Sequence, residues 1–543
     1  DMSGRAGSFR SLCAGFVALA IPRRFAVDIQ VIVFGALTRM AQALVAASPT
    51  IFVGWLVAAI FERILGREGT YRLFGGNTWR QLPQAWLLGM LLPVCSLGVI
   101  PVMYQMRKSG ISGGTILAFG LTAPLFNPIS VLYGLTLSDP WAILAFSLCS
   151  LVLITILGLL WDRLFPNSQQ PPEALDKTPY GLRRIAAVAM SMAHQAWSRS
   201  SVYMLLAIVG VGVLAMLLPA GALQRAAGKD DTIAPLTMSA VATLAYITPM
   251  TAIMQVASMF QHGNSVAAAF ALLTLGTGVN LGLLVWMIRH YSFRRSLVWL
   301  GCLVGIVLAM SYSLDRPLRP KGIEPADHTH AFDTYCNPFV KGEQNYWESA
   351  KRVLQEAATP AETVALGLCG VLLGAGGLLG RFDPQKRMMR WLVQAPSASA
   401  SSPAKSSAMR DIVLPDWAIA AVSLGGLVAA SVLGCFLYYP PVGEIRKEMH
   451  SIEAEMFSAY QNGQWDKLEY WIPIQEDWAH KMKVSAYLRG RPLDRYTELK
   501  LQVYKTKLEL LEHATEDRDR QEALEYGRQG SRAFGRLKKA LGD

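Results

Sequence analysis

Apolar residues in this chain gather into long runs that are hydrophobic all round, instead of alternating with polar ones on one face of a helix. Such runs lie near 40–62, 84–104, 112–136, 141–161, 201–223, 234–260, 265–288, 296–313, 361–380 and 413–438. Roughly 20 residues of helix cross a ~30 Å hydrocarbon core, so the pattern predicts an all-α polytopic membrane protein with about nine or ten transmembrane helices. The pattern changes beyond the last run, which ends at Tyr438-Tyr439-Pro440-Pro441, an interfacial aromatic pair followed by a stop. From 445 to 460 and from 496 to 514, apolar residues recur at helical spacing among Glu, Lys and Arg, which predicts a C-terminal soluble helical domain over 443–543.

Two polar segments divide the rest. One is a loop from about 314 to 360. The other, QAPSASASSPAKSSAM at 394–409, is a Ser/Ala/Pro linker that joins two further membrane helices within 361–438. Residues 1–313 are then the membrane core. The chain starts at Asp1, and the apolar stretch at 12–21 reads as the remains of a longer amphipathic or signal-like start.

Composition agrees with this class: of 543 residues 52% are hydrophobic and 17% charged, outside the usual soluble range. The net charge of +12 sits mainly at helix ends and in loops, where anionic lipid heads attract it, so a lipid membrane and not nucleic acid is the implied partner. If every run spans, Arg63, Arg67, Arg289, Arg294, Arg295, Arg381, Lys386, Arg387 and Arg390 share one side, read as cytoplasmic. Arg107, Lys108, Arg163, Arg183, Arg184, Arg316 and Arg319 then share the other. Seven cysteines are scattered, mostly within apolar runs, and no disulfide framework is implied.

The most informative stretch is 93–136, PVCSLGVIPVMYQMRKSGISGGTILAFGLTAPLFNPISVLYGLT. It consists of two apolar arms around the basic elbow Arg107-Lys108-Ser109-Gly110. Cys95, Ser96, Pro101, Pro124, Asn127 and Pro128 lie inside it. Prolines and amides at membrane depth leave polar groups that other protein groups, water or a passing solute must satisfy, so the segment is a candidate permeation site. The motif recurs at an offset of 153 residues (263 − 110). Gly110 pairs with Gly263, Ser112 with Ser265, Ala118 with Ala271 and Asn127 with Asn280. Cys95 falls opposite Thr248, with Pro249 next to it, and the second elbow is Gln261-His262-Gly263-Asn264. Two repeated hairpins, near 84–137 and 234–289, fit transporters whose solute site lies between repeats at mid-membrane; parallel and inverted arrangements both remain open.

The first motif resembles the predicted-permease family that includes the ArsP organoarsenical efflux proteins. The matching positions are Pro93, Cys95, Ser96, Gly98, Pro101, Arg107, Gly110, Ala118, Phe119, Pro124, Asn127 and Pro128, within a resemblance covering roughly 40–312. It implies efflux of a small thiophilic solute, an arsenical or metal species, across the cell membrane. Leu97 stands where the family pattern carries a second cysteine. The pathway expected on these grounds is lined by Cys95, Ser96, Pro101, Pro124, Asn127, Pro128, Thr248, Pro249 and Asn280. Cys95 offers a soft ligand and the two asparagines offer donors and acceptors.

Energy coupling is narrowed by what the sequence lacks. No GxxxxGK[ST] loop occurs, and the repeat segments 84–137 and 232–289 contain no Asp or Glu. No cofactor is implied. The polar loop holds the only His/Cys cluster, and His328, His330, Asp333 and Cys336 are ligand types that suit zinc or copper, although HxHxxDxxC matches no familiar site spacing and an ordinary polar loop is the simpler reading. The sequence therefore reads as a secondary permease, not an enzyme. The rival is a membrane-anchored scaffold or sensor whose C-terminal domain binds a protein partner.

Overall fold

The computed structural model describes residues 29–75, 79–92, 94–168, 182–320, 330–339, 346–385, 387–393 and 416–542, and among them it is helical without strands. Five helices are long and apolar enough to cross a membrane: α1 (Ile29–Phe74), then, as numbered below, α6, α8, α13 and α15. A bent pair gives a sixth candidate. The outward face of α6 (Pro140–Leu164) carries Leu144, Leu148, Val152, Ile156 and Leu159, all exposed, while Phe146, Ser150, Leu153, Leu157 and Trp161 face inward. An apolar stripe of that length is at home only against lipid tails.

Four of the apolar runs are not continuous helices. The run at 84–104 splits into α2 (Gln81–Leu91) and α3 (Val99–Lys108), and that at 112–136 into α4 (Gly113–Thr122) and α5 (Pro128–Leu137). After α6, α7 (Leu182–Ala196) and α8 (Arg199–Leu217), the pattern repeats. Run 234–260 splits into α9 (Ala234–Leu244) and α10 (Pro249–Gln261), and run 265–288 into α11 (Val266–Gly276) and α12 (Leu281–Tyr291), which meet at a 54° bend. Three of the breaks precede a helix that starts with a proline or a capping side chain, α5, α10 and α12, where the backbone N–H groups have no helical acceptor.

Contacts give the direction of each piece. Gln81 at the start of α2 lies beside Thr115 at the start of α4, and both helices run inward from the same end. The break after α2 meets the middle of α1, where Gly98 touches Thr50 and Gly54. From there α3 runs along α1 toward its C-terminal part, so α2 and α3 enter and return. Pro101 falls in the first turn of α3, where its missing N–H costs nothing, so it does not kink the helix. At the elbow, Gly110 takes a left-handed φ of 81°. Asp162 at the end of α6 accepts from the Gly114 N–H at 2.8 Å and from the Ser112 hydroxyl at 3.0 Å. The second elbow is built alike: Gly263 has φ 65°, and Asp315, at the end of α13 (Phe293–Asp315), accepts from the Ala267 N–H at 3.1 Å and from the Ser265 hydroxyl at 3.3 Å. Arg319 pairs with Asp315 and Asp230.

The two elbows lie at opposite ends of the bundle. The first sits by the C-terminal ends of α6 and α12, with the Arg107 guanidinium 4.6 Å from the Tyr291 ring centre. The second sits by the end of α5, where Gln261 Nε2 donates to the Leu137 carbonyl at 3.3 Å. Since α6 runs from Pro140 beside α5 to Asp162 beside the first elbow, it traverses the bundle between them. Arg107 therefore shares an end with Arg289 and Arg295, whereas reading every run as a full span puts it opposite. Re-entry of α2–α3 is the reason.

Past α13, α14 (Tyr346–Ala357) packs on α1, and α15 (Pro360–Phe382) packs on α1 and α7. The short helix α16 (Arg387–Val393) follows, and α17 (Asp416–Tyr438) leads into the C-terminal unit of α18 (Val442–Asn462), α19 (Trp465–Leu488), α20 (Arg495–Glu516) and α21 (Arg520–Ala540). That unit has its own core, built on Met449, Met456, Ile472, Tyr504, Leu508 and Phe534. The linker at 394–409 lies outside the described residues.

Candidate functional site

The four breaks meet in the interior, and the side chains there are spent in two ways. Asn127, Thr248 and Asn280 each cap the helix that follows. Asn127 Oδ1 accepts from Ser130 N–H at 2.7 Å in a reciprocal capping box, Thr248 Oγ1 from Thr251 N–H at 3.1 Å, and Asn280 Oδ1 from Leu283 N–H at 2.8 Å. Pro128 and Pro249 occupy the first helical positions. Capped N-termini at membrane depth present positive dipole ends to whatever lies in the breaks.

The break between α2 and α3 holds the reactive groups. Cys95 and Ser96 are fully buried. The Thr50 hydroxyl donates to Cys95 Sγ at 2.8 Å, and the Gly98 N–H reaches the same sulfur at 3.5 Å. From the other half, Tyr246 turns its hydroxyl toward Cys95 and Thr50, and Asn280 Nδ2 donates to the Ser96 carbonyl at 3.4 Å. The Ser96 hydroxyl is buried and has no hydrogen-bond partner among the described residues, while that of Tyr246 is engaged with Cys95 and Thr50. Buried hydroxyls are normally satisfied, so the Ser96 hydroxyl, next in sequence to the thiol, is a candidate solute contact.

The structure thus brings Cys95, Ser96 and Asn280 together. Asn127 with Pro128 and Thr248 with Pro249 cap α5 and α10, which pack against each other, and Pro124 lies in the break before Asn127. Pro93 lies outside the described residues. Thr50 and Tyr246 were missed from sequence: Thr50 sits in an otherwise apolar run, and Tyr246 precedes the Thr248 cap by two residues. Glu62 was missed as well. It lies in a π-type turn of α1 (Phe61–Leu65), where the Ser191 hydroxyl and Gln195 Nε2 of α7 donate to its carboxylate.

The His/Cys loop has a structural job. Arg39 donates to the carbonyls of Asp333 and Cys336, and Gln224 Nε2 donates to Asp333 Oδ2 at 3.3 Å. Gln255 of α10 donates to the Ala331 carbonyl at 2.8 Å. Burial pushes the Cys336 thiol up, away from the thiolate a metal would need. His328 and the side chain of His330 lie outside the described residues, and among those described no three His, Cys, Asp or Glu side chains are grouped to hold a metal.

Apolar helices facing lipid, broken segments meeting at depth and a buried polar cluster in the breaks define a polytopic membrane protein of the transporter class. The chain belongs to the family described as predicted permease, the ArsP-type family, which it matches over residues 33–315. It is similar to UPF0718 protein YcgR of Bacillus subtilis (strain 168), 24% identical over 277 residues, 49% of this chain and 92% of that protein. It is also similar to UPF0718 protein YraQ of Escherichia coli (strain K12), 26% identical over 262 residues, 47% of this chain and 73% of the relative. No solved structure matches. Family and spans together make it an integral protein of the plasma membrane.

Proposed function

We propose that the protein is a secondary permease built from two inverted repeats, and that it moves a small thiophilic solute out of the cell past Cys95. The crossings are α1, α4–α5, α6, α8, α11–α12, α13, α15 and α17; α2–α3 and α9–α10 enter from opposite ends and turn back. Support for the repeat extends beyond the elbows to Asp162 and Asp315, which stand at the same offset of 153 (315 − 162) as Ser112 and Ser265 and accept from equivalent groups. Support for orientation comes from Arg63, Arg107, Lys108, Arg163, Arg289, Arg294 and Arg295, which gather toward the first-elbow end and mark it as cytoplasmic.

The observation that carries the functional reading is the fully buried Cys95, in contact with the Thr50 and Tyr246 hydroxyls and next to the unsatisfied hydroxyl of Ser96. A soft sulfur with two hard donors nearby suits a solute with a thiophilic centre and an oxygen substituent. A single thiol at the site favours a species that needs one soft ligand. The test is uptake of trivalent methylarsenical, arsenite and soft metal ions into everted vesicles. Wild type should accumulate a thiophilic solute and Cys95→Ser should not, at equal folded protein. Uptake indifferent to Cys95→Ser would overturn this reading.

A further inference from the structure

The C-terminal unit lies beyond the stretch shared with the family, yet it is packed into the permease. Val484 of α19 is fully buried within the membrane core cluster, and Leu488 packs against that cluster. The His480 ring stands 6.2 Å from that of Tyr133 on α5, and α19 packs along α5. Polar contacts close on the second elbow: His262 Nε2 lies 2.8 Å from Glu509 Oε1, and Lys505 Nζ donates to Gln261 Oε1 at 2.8 Å. The first elbow has no such partner from this unit among the contacts described. It is held by Asp162 and by Arg107 against Tyr291, whereas the second has both Asp315 and the C-terminal helices.

We propose that the C-terminal four-helix unit is a built-in latch, whose α19 and α20 hold α5 and the elbow of the α9–α10 hairpin and restrain transport until the contact opens. This inference rests on the permease reading, because a latch restrains only a hairpin that moves. Polar elbow contacts over an apolar anchor suit a reversible clamp: the anchor keeps the unit in place while the ion pair decides whether the elbow is gripped. His262 and Glu509 are both partly exposed, which makes their pair weak enough to open. The charged groups around it are Lys505 and His513 near Glu509, with Glu476 and Lys483 near Lys505.

The experiment uses the full chain with Asn264→Cys as reporter, since Asn264 is buried beside the elbow glycine and becomes reachable only when the elbow lifts. Labelling by a membrane-impermeant maleimide should be about fivefold faster in Glu509→Gln, the factor that ~1 kcal/mol of lost contact gives, and vesicle flux should rise with it. Joining Gln261→Cys to Lys505→Cys by oxidation should depress flux, and reductant should restore it. If labelling and flux ignore Glu509→Gln while flux still depends on Cys95, the latch is wrong and the permease stands. If labelling responds but no variant shows flux, the contact is real and the permease reading fails, taking the latch's role with it.

Discussion

Gly54→Ala is the substitution that most directly tests how the site is held. Gly54 of α1 faces Gly98 at the end of the break that carries Cys95, and an added Cβ would lie 2.7 Å from the Gly98 carbonyl carbon, nearer still to its Cα and oxygen. Carbon contacts settle near 3.5–4.0 Å, so helix and break must part by about 1 Å. Both sides of the contact are backbone, with no flexible side chain to yield. Overpacking of this kind costs about 1–3 kcal/mol, and close approach through glycine is how membrane helices gain packing. The same displacement stretches the 2.8 Å bond from Thr50 to Cys95 and takes the sulfur away from Tyr246. The assay pairs vesicle flux with apparent Tm in detergent. Flux should fall about tenfold or more, the effect of ~1.4 kcal/mol, while Tm drops by roughly 2–5 °C. Gly301→Ala on α13 is the control, because nothing lies within 4 Å of its Cβ position. Gly54→Ala behaving like Gly301→Ala in both measurements would refute the claim that this contact positions Cys95.

Three other outcomes are expected. Asp162→Ala and Asp315→Ala each strip an elbow of a charged acceptor and should destabilise the protein by about 1–3 kcal/mol; because the two elbows are at opposite ends, the losses should add in denaturant titrations of the double variant. The Glu509 carboxylate raises the pKa of His262 and is itself held below the ordinary carboxylate range by that bond. The latch is therefore fully engaged below the ordinary histidine value of ~6.5 and weakens as pH climbs through the raised value in the docked state. It is also lost in acid, as pH falls through the lowered Glu509 value, so labelling of Asn264→Cys should be slowest near pH 5–6. Lys505, which burial holds at about 8, stays charged throughout that range and opposes protonation of His262; Lys505→Met should speed labelling and move the histidine-dependent step to higher pH.

The family, the helical class and the two motifs were legible because their signals are local. Apolar runs of spanning length, prolines and asparagines inside them and glycine elbows all follow from single segments and their spacing. What the sequence concealed was direction. A re-entrant pair such as α2–α3 and a full span have the same hydrophobicity, and only the contact of Gly98 with the middle of α1 distinguishes them. Thr50 and Tyr246 were hidden for a related reason: a single threonine or tyrosine in an apolar run is ordinary, and its value comes from the neighbour that another segment brings. Asp162 and Asp315 share the 153-residue spacing but lie outside the two hairpins, in helices that otherwise read as ordinary spans.

Direction also changes the electrostatics. With α2–α3 turning back, Arg107, Lys108 and Arg163 join Arg289, Arg294 and Arg295 at one end, and the opposite end keeps Arg39, Arg225, Lys229, Arg316 and Arg319, of which Arg39 and Arg319 are engaged by carbonyls or carboxylates. Within the membrane core, the charge balance then leans toward the first-elbow end. Under the orientation proposed above, the second elbow, the His330–Tyr335 turn and the C-terminal unit fall together on the outer face. There the latch would sense the pH outside the cell, and its histidine is the side chain suited to that range. Labelling of Asn264→Cys by impermeant maleimide in intact cells, and its absence in everted vesicles, is the result this topology requires.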